Sequence, residues 1–146
     1  MSILSRLYKL FHPAPTVVVT LEHGHGSDSH FPSKLDDSGL TYKLRSAMHA
    51  TLGIAPGGCA VIPCGFTLEL PRGYVALVRP IYQLAWKHRI TATNATYTAD
   101  TCEKSFTVVV ENHGSKNFTV NYGDLIGQMV IVPAVEPVFE LVKEIV

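Results

Sequence analysis

Several clusters in the chain have the residue types and spacing for chemistry. His23, His25 and His30 surround Asp28 in the run His-Gly-His-Gly-Ser-Asp-Ser-His. Folded back on itself, this run could hold Zn²⁺ or Ni²⁺. The simpler expectation is a solvated glycine and serine loop, with no metal site. Asp100 lies two residues before Cys102. No histidine stands at a spacing that would activate the thiol, so the cysteine is read as structural. Arg79 and Lys87 offer a weak anion site or, more simply, solvated or ion-paired charge. The stretch Lys143-Glu144-Ile145-Val146 fits a carboxylate-binding groove, or else a terminal strand exchanged with a neighbouring subunit.

These residues need a scaffold, and the composition supplies one. The 146 residues are 47% apolar and 16% charged, enough for the core of one domain and too apolar for disorder. Twelve basic residues balance twelve acidic ones, which argues against general nucleic-acid binding, since that depends on cationic neutralisation of phosphates. No apolar run reaches the roughly 18–20 residues of a membrane span. Three unpaired-looking cysteines (Cys59, Cys64, Cys102) point to a reducing compartment rather than a disulfide framework. Charges interrupt the first apolar stretch and no cleavage site follows, so secretion by a signal peptide is not expected.

Residues 1–15 read as an arm. Leu4, Leu7, Tyr8 and Phe11 recur at helical spacing, Arg6 and Lys9 fall on other faces, and Pro13 and Pro15 stop the pattern. The arm either packs on its own domain or docks on a protein partner or membrane surface through those four residues. Residues 16–146 read as β throughout. Val17–Val19, Tyr42–Ala47, Cys59–Ile62, Phe66–Leu70, Tyr74–Arg79, Phe106–Glu111, Phe118–Val120 and Leu125–Val132 are expected strands, and Pro137–Val146 a last extended run. Pro71-Arg72-Gly73 predicts a hairpin between the fourth and fifth of these, and Ile81–His88 is the one internal helical segment. Such spacing indicates an all-β barrel or sandwich.

One ordered string goes further than generic β. Pro63-Cys64-Gly65-Phe66-Thr67-Leu68-Glu69-Leu70-Pro71-Arg72-Gly73-Tyr74 resembles the P-T-G-x-x-x-x-x-P-x-G-Y stretch of trimeric dUTPases. Arg79-Pro80 and Leu84-Ala85 stand where that family's R-P-R-S-G-L-A motif begins and ends. Lys87-His88-Arg89-Ile90 looks like its K-H-G-I, with Asn94 following. Tyr122-Gly123-Asp124-Leu125-Ile126-Gly127-Gln128 is similar to its G-D-R-I-A-Q, and Thr41–Arg45 sits at its A-G-x-D-L. The resemblance implies a dUTPase-like jelly-roll barrel, a homotrimer, and a C-terminal strand donated to a neighbour.

The same resemblance marks substitutions at the family's site. Lys43 stands where an aspartate supports the metal, and Ile81, Tyr82 and Gln83 where arginine, serine and glycine meet the triphosphate. Glu103 replaces the ring that packs on the sugar, and Val146 stands near where the family's glycine-rich tail would start. Asp100 alone keeps its place in the third motif, as the general base. Tyr82 is expected at the mouth of the old pocket, and Trp86 in the core or against a subunit. The resulting expectation is a catalytically inactive, trimeric structural or interaction protein, without cofactor. Viral settings fit best, as a capsid-surface trimer or host-factor binder in the host cytoplasm or virion. The alternative is a divergent dUTP diphosphatase using Mg²⁺, with Asp100 as base, Gln128 near the phosphates, and Lys43, Arg79 or Lys104 replacing the clamp. A nucleotide-binding sensor lies between the two.

Overall fold

A computed structural model describes residues 2–37, 39–100 and 104–143. The first element is α1 (Ile3–Phe11), whose Ser2 cap accepts a hydrogen bond from the Ser5 backbone N–H at 3.2 Å. Eleven strands follow among the described residues: β1 (Val18–Leu21), β2 (Thr41–Arg45), β3 (Leu52–Ile54), β4 (Cys59–Pro63), β5 (Phe66–Glu69), β6 (Tyr74–Arg79), β7 (Ile90–Ala92), β8 (Thr96–Tyr97), β9 (Thr107–Asn112), β10 (Phe118–Val120) and β11 (Leu125–Pro133). A second helix, α2 (Tyr82–His88), joins β6 to β7, and a 3-10 turn covers Asp28–His30.

The pairings between these strands are antiparallel and fall into four sheets: β1–β5, β3–β10, β4–β9–β7, and the largest, β2–β11–β6–β8. The fold is therefore mostly β, as expected, but these sheets do not close into one barrel. The expected hairpin is also absent. β5 pairs with β1 and β6 with β11 and β8, because the Pro71-Arg72-Gly73 turn carries the chain from one sheet to another. Phe66 and Leu68 from β5 then meet the same core as Ala76 and Val78 from β6, each set from its own sheet. Strands β3, β7 and β8, only two or three residues long, carry too little alternation to be legible in advance. The run from Pro137 forms no strand through residue 143, and Val138, Phe139 and Leu141 on it are exposed; residues 144–146 lie outside the described part.

The core is apolar, with Phe66, Phe106 and Tyr97 stacked at its centre (ring centroids 5.2 and 4.3 Å apart). One buried polar group is fully engaged. The Asn112 amide donates to the Ile54 and Lys116 carbonyls at 2.8 Å and accepts from the Gly114 N–H at 2.9 Å, fixing the turn after β9 against β3.

The two described cysteines differ sharply, since Cys59 is exposed and Cys64 fully buried. Burial, with a smaller push from the Glu22 carboxylate, drives the Cys64 thiol far above its ordinary value. Its folded value exceeds its unfolded one, so its contribution to stability is complete below the ordinary thiol value of about 8.5 and declines as pH rises past it. Iodoacetamide at neutral pH is expected to alkylate Cys59 in the native protein and Cys64 only after unfolding. Peptide mass mapping reads both, and native labelling of Cys64 would contradict its burial.

Candidate functional site

β11 lies between β2 and β6, and Gln128 is in register with Lys43 on one side and Arg79 on the other. The next residues along the three strands, Leu44, Met129 and Val78, are buried in the core. Strand alternation therefore puts Lys43, Gln128 and Arg79 in one row on the opposite face. Gln128 Nε2 donates to the Pro80 carbonyl at 2.8 Å, tying β11 to the lead-in of α2. Its Oε1 and second N–H stay available for another partner. A row of two cations around an amide suits a polyanion: Arg gives a planar donor fork, Lys a point charge, Gln a neutral donor.

α2 follows this row directly. Ile81 is buried, whereas Tyr82 and Trp86, four residues apart on one helix face, are 76% and 71% exposed. Trp86 is thus not a core ring, and Tyr82 does not fill a cavity within the chain.

Asp100 lies elsewhere. β8 pairs with β6 through Thr96↔Leu77 and Tyr97↔Ala76, so it leads away from Arg79 toward the Tyr74 end of β6. That end is roughly 17 Å from Arg79 at 3.4 Å per residue. Asp100 follows in an exposed turn. Its approach is firmly held, because Tyr97 stacks on Phe106 and donates its hydroxyl to the Thr107 carbonyl at 2.7 Å. Lys104 is exposed on the lead-in to β9, which belongs to a different sheet. The chain therefore brings together Lys43, Gln128 and Arg79 but joins neither Asp100 nor Lys104 to them. Cys102 and Glu103 lie outside the described residues.

The three histidines of the loop do not converge. His30 is 1% exposed; its Nδ1 accepts from the Ser27 N–H at 3.2 Å, and its Nε2 donates to the Ser46 carbonyl at 2.9 Å. A carbonyl only accepts, so the proton sits on Nε2, and the ring is a core strut packed beside Tyr122. His25 instead pairs with His49, Nδ1 to Nε2 at 3.1 Å. Among the described residues no three His, Cys, Asp or Glu side chains gather to hold a metal ion. Lys43 adds positive charge where the resemblance calls for an aspartate, so the described residues of one chain offer no ligand set for Mg²⁺. Sequence reasoning names Lys43, Arg79 and Gln128 separately. It misses their common row, which depends on pairing between strands distant in sequence.

The dUTPase family profile matches residues 31–146. The deoxyuridine 5'-triphosphate nucleotidohydrolase of Maricaulis maris is 36% identical over 87% of this chain and 84% of its own length. The enzyme of the same name from Ehrlichia canis is 37% identical over 78% and 75%. Among solved structures, a mutant dUTPase from phage phi11 of Staphylococcus aureus superposes with a TM-score of 0.78 at 20% identity, covering 88% of this chain and 97% of that one. Staphylococcus bacteriophage 80alpha dUTPase with dUPNHPP gives 0.79 at 19%, covering 90% of each. These structures share the fold.

The curated relatives overturn the expectation of a catalytically inactive structural or interaction protein, because proteins alike over most of this chain are nucleotidohydrolases. Its viral, virion and capsid-decoration forms are not shown by these relatives. The expectation of no cofactor at all is likewise not supported by the dUTPase relatives. Lys43, Ile81, Tyr82 and Gln83 look like losses when weighed one by one; in the fold, Lys43 and Arg79 stand in register on either side of Gln128. A profile match across 31–146 and alignment at more than a third identity place this chain in the trimeric dUTPase family.

Proposed function

We propose that the protein is a divergent dUTP diphosphatase, converting dUTP and water to dUMP and diphosphate. The observation that carries this reading is the Lys43–Gln128–Arg79 row, a cationic strip for a triphosphate in a chain of this family. Lys43 and Arg79 hold phosphate oxygens, and Gln128 donates to the same chain of phosphates. The Asp100 carboxylate takes a proton from the water that attacks the α-phosphorus, and diphosphate leaves. The described residues offer no carboxylate cluster for Mg²⁺, so a divalent ion belongs with the triphosphate oxygens as part of the substrate; no step here depends on it.

Asp100 and the row stand toward opposite ends of β6, so a complete site needs Asp100 from a second copy. That supports a homotrimer. The exposed apolar side chains Val135, Val138, Phe139, Leu141 and Val142 support it further, as material for burial between subunits. A cytoplasmic setting fits a nucleoside triphosphate substrate, and none of the described helices is long and apolar enough to cross a membrane.

The test is diphosphate release from a panel of deoxynucleoside triphosphates with Mg²⁺. Release from dUTP in preference to dCTP and dTTP is expected. A charge-assisted hydrogen bond contributes about 1.5–3 kcal/mol, so Arg79→Ala should raise KM about 10–100-fold. No release from any nucleotide would remove the proposal, and an unchanged KM would remove Arg79 from it.

A further inference from the structure

On α1, Leu4, Leu7, Tyr8 and Phe11 are exposed, and nothing among the described residues shows what covers them. A cleft at the C-terminal end of α2 is better defined. It holds about 470 Å³ between residues 87–90 and the turn at 114–118 that joins β9 to β10. The two walls are pressed together. The His113 N–H donates to the Arg89 carbonyl at 2.9 Å, and a Cβ on Gly114 would come within 2.8 Å of the His88 carbonyl oxygen. The buried Asn112 amide holds the Lys116 carbonyl at 2.8 Å. The backbone of the cleft is thus set before anything binds.

Its charge is one-sided. Lys87, Arg89 and Lys116 line the cleft with His88, and no carboxylate does. None of the three cations has an ion-pair partner among the described residues. The nearest carboxylate along the chain, Glu111, is engaged by Thr93 and His113. Arg89 adds an independent observation. Its φ of +55° is the only positive value at a non-glycine among the described residues. This left-handed turn ends α2, where the Arg89 N–H donates to the Ala85 and Leu84 carbonyls, and glycine is the unstrained choice there. Lys87 and His88 already place basic side chains in the last turn, so the helix dipole does not call for a third. A long cation held at a glycine position, beside two other cations, is strain kept for a ligand.

We propose that this cleft binds a chain of two or more phosphates, as free diphosphate or as the tail of a nucleotide. Arg89 offers a planar donor fork, and Lys87 and Lys116 offer point charges on either side. The site is distinct from the Lys43–Gln128–Arg79 row and does not depend on the proposed reaction. The row adjoins the start of α2, and the helix rises about 10 Å over its seven residues to reach the cleft.

Calorimetric titration of the full-length protein with diphosphate tests this. Arg79→Ala protein should still bind diphosphate, and adding Arg89→Gly should weaken that binding about 10–100-fold, the range for one charge-assisted hydrogen bond. No binding after Arg79→Ala, or binding indifferent to Arg89→Gly, would overturn the cleft and leave the row standing. Binding that responds to Arg89→Gly and not to Arg79→Ala would keep the cleft and remove the row. Glycine relieves the backbone at position 89, so Arg89→Gly should melt no lower than wild type, and diphosphate should raise its Tm less. A lower Tm would make Arg89 a structural residue and overturn the proposal. A dATP arm separates the sources: dATP binding displaced by diphosphate assigns the cleft to a nucleotide tail, and diphosphate binding without dATP binding assigns it to free diphosphate. Equal competition by sulfate would reduce the cleft to an unselective cationic patch and overturn the proposal.

Discussion

Replacing Asp100 with asparagine should lower kcat for dUTP by about 10²–10⁴-fold while leaving KM nearly unchanged, the range for removing a general base. Asparagine keeps the size and hydrogen-bonding reach of the side chain but cannot accept the proton of the attacking water. Its turn is entered from Tyr97, which Phe106 and the Thr107 carbonyl hold in place, so the substitution should not disturb the fold. KM should be spared because the proposed phosphate contacts lie with Lys43, Gln128 and Arg79, toward the other end of β6. Steady-state kinetics with circular dichroism as a control provide the measurement. A kcat within about threefold of wild type, far short of the loss expected for a missing base, would take that role away from Asp100.

That separation yields a sharper readout. If each site combines Asp100 of one copy with the cationic row of another, mixing Asp100→Asn protein with Arg79→Ala protein should create some wholly intact sites. Turnover at low dUTP should then exceed the average of the two parent variants. Mixtures that only average their parents would mean that each site is built within a single chain, against the proposed assembly.

The part of the fold legible in the sequence is the part written in local pattern. Phe66–Glu69, Tyr74–Arg79 and Thr107–Asn112 alternate burial along their length, and their turns carry proline, glycine or asparagine. Pairing is not legible, since β5 meets β1 across more than forty residues of chain rather than its neighbour β6. His30 shows the same limit. It reads as one of three loop histidines, yet a contact sixteen residues away, at the Ser46 carbonyl, makes it a buried strut. At the site, each residue type is visible and the register is not. Lys43 alone looks like a reversed charge, whereas the register sets it opposite Gln128, in the row proposed to take phosphate.

The second large effect concerns the scaffold. Gly65→Ala should destabilise the protein by about 2–5 kcal/mol, the sum of a backbone and a packing cost. Gly65 has φ +75°, where an L side chain costs roughly 1–2 kcal/mol. A methyl there would also lie 2.9 Å from Ala47 Cβ, 2.9 Å from Gly26 Cα and 3.1 Å from the His25 carbonyl oxygen. Two of these three neighbours are backbone atoms, so overpacking adds about 1–3 kcal/mol. The turn has little room to shift: the Gly65 carbonyl accepts from the Glu22 N–H at 2.9 Å, and the Cys64 N–H donates to the Phe106 carbonyl at 2.9 Å. For a domain of this size the loss corresponds to a fall in Tm of roughly 6–16 °C. Gly57→Ala is the matched control, because Gly57 has φ +76° with nothing within 4 Å of the added methyl. It should show the conformational cost alone, about 1–2 kcal/mol. Equal melting shifts for the two variants would mean that the backbone angle, and not the packing of the N-terminal loop against the turn, fixes glycine at position 65. A larger shift at Gly65 would make this turn the clasp that holds residues 22–26 against the core.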